Sequence, residues 1–146
     1  MNKNSYIIYS DGGSRGNPGD ASLGWLLYSP DLELVQFNAK YLGNNVTNNY
    51  AEYSAIHDAL KFCAKKQTNY KPNITKLICN LDSELVVKQL TGIYRIKNLE
   101  LEKINIQITK LLLEFEEVKF NYVPREKNKF ADMLVNICLD AAVSGN

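Results

Sequence analysis

The sequence predicts an α/β protein built around one mixed sheet, and three observations support this prediction. Three apolar runs of strand length follow one another with short connections, which is typical of an antiparallel meander. After residue 47, helical and strand-like periodicities alternate, which favours parallel pairing of the later strands through a right-handed crossover. Two strand-like runs end at acids, Asp11 and Asp82. In open α/β sheets, functional residues usually lie at the carboxyl ends of the strands.

The first three strands are separated by residues typical of turns. The first strand, Tyr6–Ser10, stops at Asp11 and is followed by a glycine-rich stretch. The glycines of this stretch are Gly12, Gly13, Gly16 and Gly19. They predict a backbone that bends sharply or lets another part of the molecule approach closely. The second and third strands are predicted over Leu23–Ser29 and Leu34–Leu42, with a proline-containing turn between them.

A helix is predicted next, and a strand follows it. The helix is capped by Thr47 or Asn48 and runs to about Lys66, with apolar residues at helical spacing. A polar loop over Lys65–Pro72 then leads to a fourth strand, Leu77–Leu81.

The last third of the chain contains three further helices and a fifth strand. A short helix, Glu84–Leu90, is followed by a connector and by a strongly periodic helix, Leu99–Phe115. The fifth strand is predicted over Val118–Val123 and the last helix over Lys129–Ala142. Residues 143–146 are predicted to be a flexible tail.

Composition indicates a soluble intracellular protein, with the cytoplasm as the expected location. No stretch of the sequence is long and apolar enough to cross a membrane. The three cysteines are widely spaced, and this is typical of small core residues in a reducing compartment. Because the net charge is only +1, a nucleic-acid partner would have to be bound by a local basic patch.

Four acids are predicted to meet at one edge of the sheet. They are Asp11, Glu52, Asp82 and Asp132. Glu52 falls on the apolar stripe of its helix, and a carboxylate that points inward is costly without a partner or a cation. The alternative is that the helix-start acids only interact with helix dipoles and that Asp11 only accepts turn hydrogen bonds. Four converging carboxylates would repel one another, whereas two divalent ions such as Mg²⁺ would turn them into ligands for phosphoryl displacement.

Four sequence blocks then show a family resemblance. The strings YSDGGSRGNPG, TNNYAEYSAI, LDSELVVKQL and VPREKNKFADMLVN occur in this order, and the resemblance that they carry extends over nearly the whole chain. The chain resembles type 1 ribonuclease H in its compact form, without the basic protrusion. The resemblance implies a ribonuclease H-like catalytic domain over residues 1–142, with a five-stranded mixed sheet of order 3-2-1-4-5 and helices on both faces. It also implies an endonuclease that hydrolyses the RNA strand of RNA/DNA hybrids with two Mg²⁺ ions, or with Mn²⁺ as a substitute, and leaves 3′-hydroxyl and 5′-phosphate ends.

The resemblance also implies roles for individual residues. The four acids match the family's catalytic metal ligands. The RNA strand is expected at Gly12, Gly13, Ser14, Asn48, Glu52 and Glu84, where its 2′-hydroxyls would distinguish it from DNA. The minor groove and a DNA phosphate are expected at Asn17, Thr47 and Asn49.

The sequence departs from the family pattern at three places. Many family members have glutamine at the position of Glu84. The loop before Asp132 lacks the histidine that often assists the leaving group or product release, and Arg125 is the available substitute. The basic protrusion is replaced by a short connector, so that Tyr94 and Lys97 become candidate contacts to the DNA strand. We therefore expect weaker and more salt-sensitive binding than in relatives that have the protrusion.

Two other functional classes have to be weighed against a hybrid nuclease. One is a catalytically silent nucleic-acid-binding module, which would not need all four acids. The other is a related polynucleotidyl transferase or a reverse transcriptase fragment, but a start at Met1 just before the first strand favours a free-standing enzyme. A mononucleotide or dinucleotide site is excluded because neither glycine-loop spacing is present. The expected partner is an RNA/DNA hybrid, with no membrane or protein partner, and the expected state is a monomer.

Overall fold

A computed structural model describes residues 4–64 and 73–144, which form a five-stranded mixed sheet of order β3-β2-β1-β4-β5 with helices on both faces. The elements are β1 (Ser5–Arg15), β2 (Gly19–Tyr28), β3 (Leu34–Val46), α1 (Asn48–Ala64), β4 (Lys76–Leu81), α2 (Glu84–Leu90), α3 (Leu99–Leu112), β5 (Glu117–Tyr122), a 3₁₀ turn (Arg125–Lys127) and α4 (Lys129–Ser144). The predicted fold class and strand order are therefore confirmed.

The sheet changes from antiparallel to parallel pairing at β1. Strands β1, β2 and β3 form the predicted antiparallel meander, whereas β1 pairs with β4 and β4 pairs with β5 in parallel. The last parallel pair between β1 and β4 joins Ser10 to Leu81. Asp11 and Asp82, the residues that follow this pair, therefore lie side by side at the edge of the parallel half of the sheet.

The glycine-rich stretch does not end the first strand, and this corrects the prediction that the strand stops at Asp11. Strand β1 continues to Arg15 because its antiparallel pairing with β2 persists after the pairing with β4 has ended. Strand β2 accordingly begins at Gly19, four residues before the predicted Leu23. The turn is confined to the three residues between the strands, where Gly16 has a φ of +86°.

Three other element boundaries differ from the prediction by two residues or more. Strand β3 extends to Val46, and α4 continues to Ser144, so that two residues of the predicted tail are helical. Helix α3 ends at Leu112 because the next amides, including those of Glu114 and Phe115, bond three residues back rather than four. The predicted loop Lys65–Pro72, the end of the helix before it and residues 145–146 lie outside the described residues.

The helices cover the sheet unequally. Helices α1 and α3 pack over one face, where Trp25, Tyr53, Ile56 and Leu60 belong to the main core. Helix α4 covers the other face over β1, β2 and β3. None of the helices in the described ranges 4–64 and 73–144 has the length and apolar character needed to cross a membrane.

Two glycines allow helices to approach the sheet beside Asp11. A Cβ atom at Gly12 would overlap the backbone of Ala51, so this glycine lets α1 lie against β1. A Cβ atom at Gly24, the cross-strand partner of Asp11, would lie 2.9 Å from the carbonyl oxygen of Ala131 in α4. The residues that follow these two contact points in the chain are Glu52 and Asp132, so both close approaches bring an acid towards Asp11.

Candidate active site

Four carboxylates from four different parts of the fold line one cleft of about 430 Å³. Asp11 lies on β1, Glu52 in the first turns of α1, Asp82 just after β4, and Asp132 in the first turn of α4. The structure therefore brings together the acids that the sequence placed at one edge of the sheet. We call this cavity the carboxylate cleft, and its other lining residues are named below.

The pKa of Asp11 is strongly raised in this cleft. Burial raises its pKa to about 9, and the neighbouring carboxylates of Asp82, Glu52 and Asp132 add to the effect. Its Oδ1 accepts a hydrogen bond from the backbone N–H of Gly12 at 2.9 Å, and its side chain is within hydrogen-bonding reach of Asp132. Without a nearby cation, Asp11 would keep its proton at neutral pH.

Glu52 and Asp82 experience opposing influences. Burial, followed by the charge of Asp82, raises the pKa of Glu52 to about 8, whereas Ser83 and Arg125 lower it. Burial also raises the pKa of Asp82, against the hydrogen bond from Asn128 and the charge of Arg125. Arg125 lies on the 3₁₀ turn, lines the cleft and is the cation that favours ionisation of both groups.

Asn128 is a buried component of the site that sequence reasoning missed. Its Nδ2 donates to the carbonyl oxygen of Ser10 at 2.9 Å and to Oδ2 of Asp82 at 3.2 Å. Its own carbonyl accepts from the backbone N–H of Asp132 at 3.1 Å. One asparagine therefore connects β1, β4 and the start of α4. An asparagine just before a helix is ordinarily interpreted as a cap, and only the fold shows that this side chain reaches across to two strands.

The glycine-rich end of β1 is tied to the start of α1. Oδ1 of Asn48 accepts from the backbone N–H of Ser14 at 2.7 Å, and Oδ1 of Asn17 accepts from the backbone N–H of Asn48 at 3.0 Å. Thr47 caps α1, because its Oγ1 accepts from the N–H of Tyr50 at 3.1 Å. The predicted contact residues on the wall of the cleft are Gly12, Gly13, Ser14, Asn17, Asn48 and Asn49.

A second cavity of about 380 Å³ adjoins the cleft and shares Asn17 and Asn49 with it. We call it the basic pocket. Its other lining residues are Thr47, Gln89, Arg95, Lys97, Asn98 and Leu101. Two predicted contact residues that do not line the cleft, Thr47 and Lys97, are thus found here. A hydrogen bond fixes the side chain of Gln89, because its Oε1 accepts from the buried hydroxyl of Tyr53 at 2.7 Å.

Two predicted contact residues lie outside both cavities. Glu84 is exposed and pairs with Lys88 at 3.3 Å on the same helix. Tyr94 is also exposed, and Nζ of Lys88 lies 5.0 Å from the centre of its ring. His57, the single histidine of the sequence, is half-buried in a groove between α1 and α3, away from the cleft.

Three further polar residues of the cleft were not identified from the sequence. Ser83 caps α2 and also hydrogen-bonds the carboxyl of Glu52. Arg15 pairs with Asp140 at 2.6 Å, and Asn136 donates to the carbonyl of Asp132 at 3.0 Å. Arg15 and Asn136 lie on the same side of the cleft. Arg15 could have been suspected, because it interrupts the glycines of the first block.

The acids of the carboxylate cleft offer oxygen atoms, the type of ligand that Mg²⁺ prefers. Within residues 4–64 and 73–144, no three acidic, histidine or cysteine side chains surround a single point closely enough to hold an ion alone. Mg²⁺ is usually bound by one or two carboxylates, while water and substrate oxygens complete its octahedron. Burial, and after it the charges of neighbouring carboxylates, raises the pKa values of Asp11 and Glu52, and bound cations would favour the ionised forms of both. The donor set therefore fits Mg²⁺ with incomplete protein ligation.

The strand order and the four acids at the edge of the parallel half define the ribonuclease H-like class. A family model described as reverse transcriptase-like matches residues 9–138. Ribonuclease HI of Halobacterium salinarum is 38% identical over 92% of this chain, and the bifunctional protein Rv2228c of Mycobacterium tuberculosis is 36% identical over 93%. The chain spans 64% and 36% of the lengths of these two relatives.

Solved structures agree with the sequence matches. The RNase H1 structure from Halobacterium salinarum superposes with a TM-score of 0.83 at 37% identity, covering 93% of this chain and 98% of that one. LC11-RNase H1 in complex with an RNA/DNA hybrid superposes with a TM-score of 0.82 at 34% identity, covering 95% and 99%. The chain belongs to the type 1 ribonuclease H family.

Proposed function

We propose that this protein is a divalent-metal-dependent endonuclease that hydrolyses the RNA strand of RNA/DNA hybrids and leaves 3′-hydroxyl and 5′-phosphate ends. The observation that carries the proposal is the meeting of Asp11, Glu52, Asp82 and Asp132 in one cleft. Further support comes from the relative LC11-RNase H1, which is 34% identical and forms a complex with an RNA/DNA hybrid.

The proposed cofactor is Mg²⁺, as two ions, with Mn²⁺ as a possible substitute. Asp11 is within hydrogen-bonding reach of both Asp82 and Asp132, and these three acids together with Glu52 would hold the ions. When bound, such ions lower the pKa of an attacking water and stabilise the leaving oxygen. The protein's part is to orient the carboxylates, and the Gly12 amide assists this at Asp11 and the Asn128 side chain at Asp82.

Recognition of the RNA strand is proposed for the glycine-rich end of β1. Gly12 and Gly13 have no side chains, so a ribose can approach their backbone. The adjoining side chains of Ser14 and Asn48 are held together by their own hydrogen bonds, so their geometry is set before substrate binds. A rigid polar edge of this kind can hydrogen-bond a 2′-hydroxyl and so distinguish RNA from DNA, which lacks this group.

The DNA strand is proposed to pass over the basic pocket. Thr47, Arg95 and Lys97 surround a cavity whose remaining polar wall is mainly amide groups. Short hydroxyl and amide groups beside a helix start, together with cations, are suited to bind a backbone phosphate. We therefore assign the phosphate contact to this pocket.

Arg125 is proposed to act electrostatically. A guanidinium remains protonated in proteins and therefore cannot serve as a general acid at neutral pH. Its charge already favours the ionised forms of Glu52 and Asp82. We assign it to stabilising negative charge on the leaving group or on the released phosphate.

The test is a panel of four end-labelled substrates: an RNA/DNA hybrid, single-stranded RNA, double-stranded RNA and duplex DNA. Each is incubated with the protein in Mg²⁺ and, separately, in EDTA. We expect internal cleavage of the RNA strand of the hybrid in Mg²⁺ alone. End-group analysis should give 5′-phosphates.

Each alternative class gives a different result in this panel. Binding of the hybrid without cleavage in either Mg²⁺ or Mn²⁺ would identify a silent binding module and refute the nuclease. Cleavage of duplex DNA in preference to the hybrid would identify a different polynucleotidyl transferase. Cleavage that persists in EDTA would refute the metal-dependent chemistry.

A further inference from the structure

A cavity of about 320 Å³ lies on the α4 face of the sheet and shares no lining residue with the carboxylate cleft. Its walls come from β1, β2, the turn after β2 and the loop that leads into α4. Three aromatic side chains, Tyr9, Tyr28 and Phe130, take part in the lining, and the first two pack edge to face with ring centres 5.9 Å apart. The volume lies at the lower end of the range for small-molecule sites.

Two apolar residues that line the cavity are largely exposed. Leu32 is 69% exposed and Phe130 is 62% exposed, and both line the cavity. Leu32 has a φ of +66°, a left-handed conformation that costs a branched side chain energy and is usually occupied by glycine or asparagine. The turn hydrogen bonds of Ser29 with Leu32 and Glu33 would form equally well with either of those residues. A strained, exposed leucine is explained if it contacts a ligand.

The charge around the cavity has one sign. Lys127 and Lys129 both line it, and no carboxylate does so within the described ranges 4–64 and 73–144. An aromatic cavity with two ammonium groups at its edge is complementary to an apolar ring system that carries a negative charge.

The cavity also contacts the residue that holds Asp82. Asn128 forms part of its wall while its Nδ2 donates to Oδ2 of Asp82 at 3.2 Å. A molecule in the cavity would therefore be separated from Asp82 by the Asn128 side chain. Its binding would change the NMR signals of the Asn128 side-chain amide.

We infer that this cavity is a second ligand site, for a small aromatic carboxylate or sulfonate, walled by the loop that carries Asn128. The inference does not depend on the proposed nuclease activity. It assigns a chemical class of ligand to a surface that the carboxylate cleft and the basic pocket do not use.

The test uses 1-naphthoate as the probe and the uncharged 1-naphthamide as its matched analogue, both added to the full chain without nucleic acid. Binding is followed by calorimetry and by the NMR signals of the Asn128 side-chain amide. We expect one saturable site for the naphthoate, a shift of the Asn128 signals, and weaker binding of the amide. The double variant Lys127→Gln/Lys129→Gln should bind naphthoate roughly three- to tenfold more weakly.

Leu32→Asn gives an independent test, because asparagine accepts the left-handed conformation and should not lower the thermal midpoint. It should nevertheless weaken naphthoate binding. The matched controls are Leu113→Asn, at a leucine that is 83% exposed at the end of α3, and Lys103→Gln, at an exposed lysine of the same helix. Neither control should change binding. Absence of saturable binding, equal binding of the two probes, or binding unaffected by the cavity variants would each overturn the inference.

Discussion

Asn128 donates a hydrogen bond from Nδ2 to Oδ2 of Asp82 across 3.2 Å, and this contact joins the loop before α4 to the carboxyl end of β4. The same Nδ2 donates to the Ser10 carbonyl, one residue before Asp11. The relative positions of three acids therefore depend on one buried amide, which itself takes no part in the predicted chemistry.

Replacing Asn128 by alanine should destabilise the protein and lower activity together. The variant leaves the buried Ser10 carbonyl without this donor, which we expect to cost about 1–3 kcal/mol in the free energy of unfolding. Urea unfolding measures this change, and hybrid cleavage measures the loss of turnover. Asn121→Ala is the matched control, because this residue is exposed and its amide donates a long hydrogen bond of 3.4 Å to the Asn80 side chain. Equal stability of the two variants would contradict the role assigned to Asn128.

Gly12 and Gly13 should respond very differently to alanine. At Gly12 the new methyl group would overlap the Ala51 backbone, so α1 would have to move away from β1 together with Glu52. At Gly13 the nearest heavy atom is Cγ1 of Val135 at 3.6 Å, an ordinary contact. We expect Gly12→Ala to lower the unfolding free energy by more than about 2 kcal/mol and Gly13→Ala to change it by less than about 1. Thermal or urea unfolding of both variants decides this, and similar losses would be inconsistent with the proposed packing.

In EDTA, stability should fall as the pH rises. The pKa values of Asp11 and Glu52 are raised from 3.8 and 4.5 to about 9 and about 8, so the folded state keeps protons that the unfolded chain has lost. The favourable contribution of these two acids to folding stability is complete below their pKa values in the unfolded chain. It disappears as the pH rises through their pKa values in the folded protein. Urea unfolding from about pH 5 to about pH 9 should show this slope, and Mg²⁺ should reduce it because cations bind the ionised forms. Asp11→Asn should flatten the slope in EDTA, and an unchanged slope in that variant would count against the assignment.

Binding of the hybrid should depend steeply on salt, with part of the dependence arising in the basic pocket. Arg95→Gln and Lys97→Gln should each reduce the slope of log affinity against log salt by about 1, if each residue contacts a phosphate. Fluorescence anisotropy in EDTA measures binding without cleavage. Lys103→Gln, at an exposed lysine on α3, provides the control. If Arg95 and Lys97 behave like Lys103, the DNA strand does not cross this pocket.

Much of the fold followed from local sequence patterns. Periodicity and turn chemistry are visible in one sequence. They predict the meander, the alternation of helices and strands, and the positions of Asp11 and Asp82 after neighbouring strands. The end of β1 did not follow in the same way. Glycines weaken a strand only on average, and here the ladder with β2 holds Gly12 and Gly13 in extended pairing.

The parts of the site that sequence reasoning missed depend on contacts between distant residues. Asn128 reaches Ser10 across 118 positions, and Tyr53 orients Gln89 across 36. No local pattern distinguishes these side chains from ordinary caps and core residues. Glu84 and Tyr94 show the opposite case. Glu84 lies in a motif block and Tyr94 in the connector expected near the DNA strand, but both lie outside the carboxylate cleft and the basic pocket, beside Lys88.

The most direct test of the carboxylate cleft is the rate of hybrid cleavage by Asp82→Asn in Mg²⁺, compared with the unaltered protein at equal concentration. The variant keeps a side chain of the same shape, so circular dichroism and urea unfolding should show a folded protein. We predict that cleavage of the RNA strand falls by at least about a thousandfold, because a charge that holds the ions has been removed. Cleavage within about threefold of the unaltered rate, in a folded variant, would contradict the assignment of this cleft as the catalytic centre.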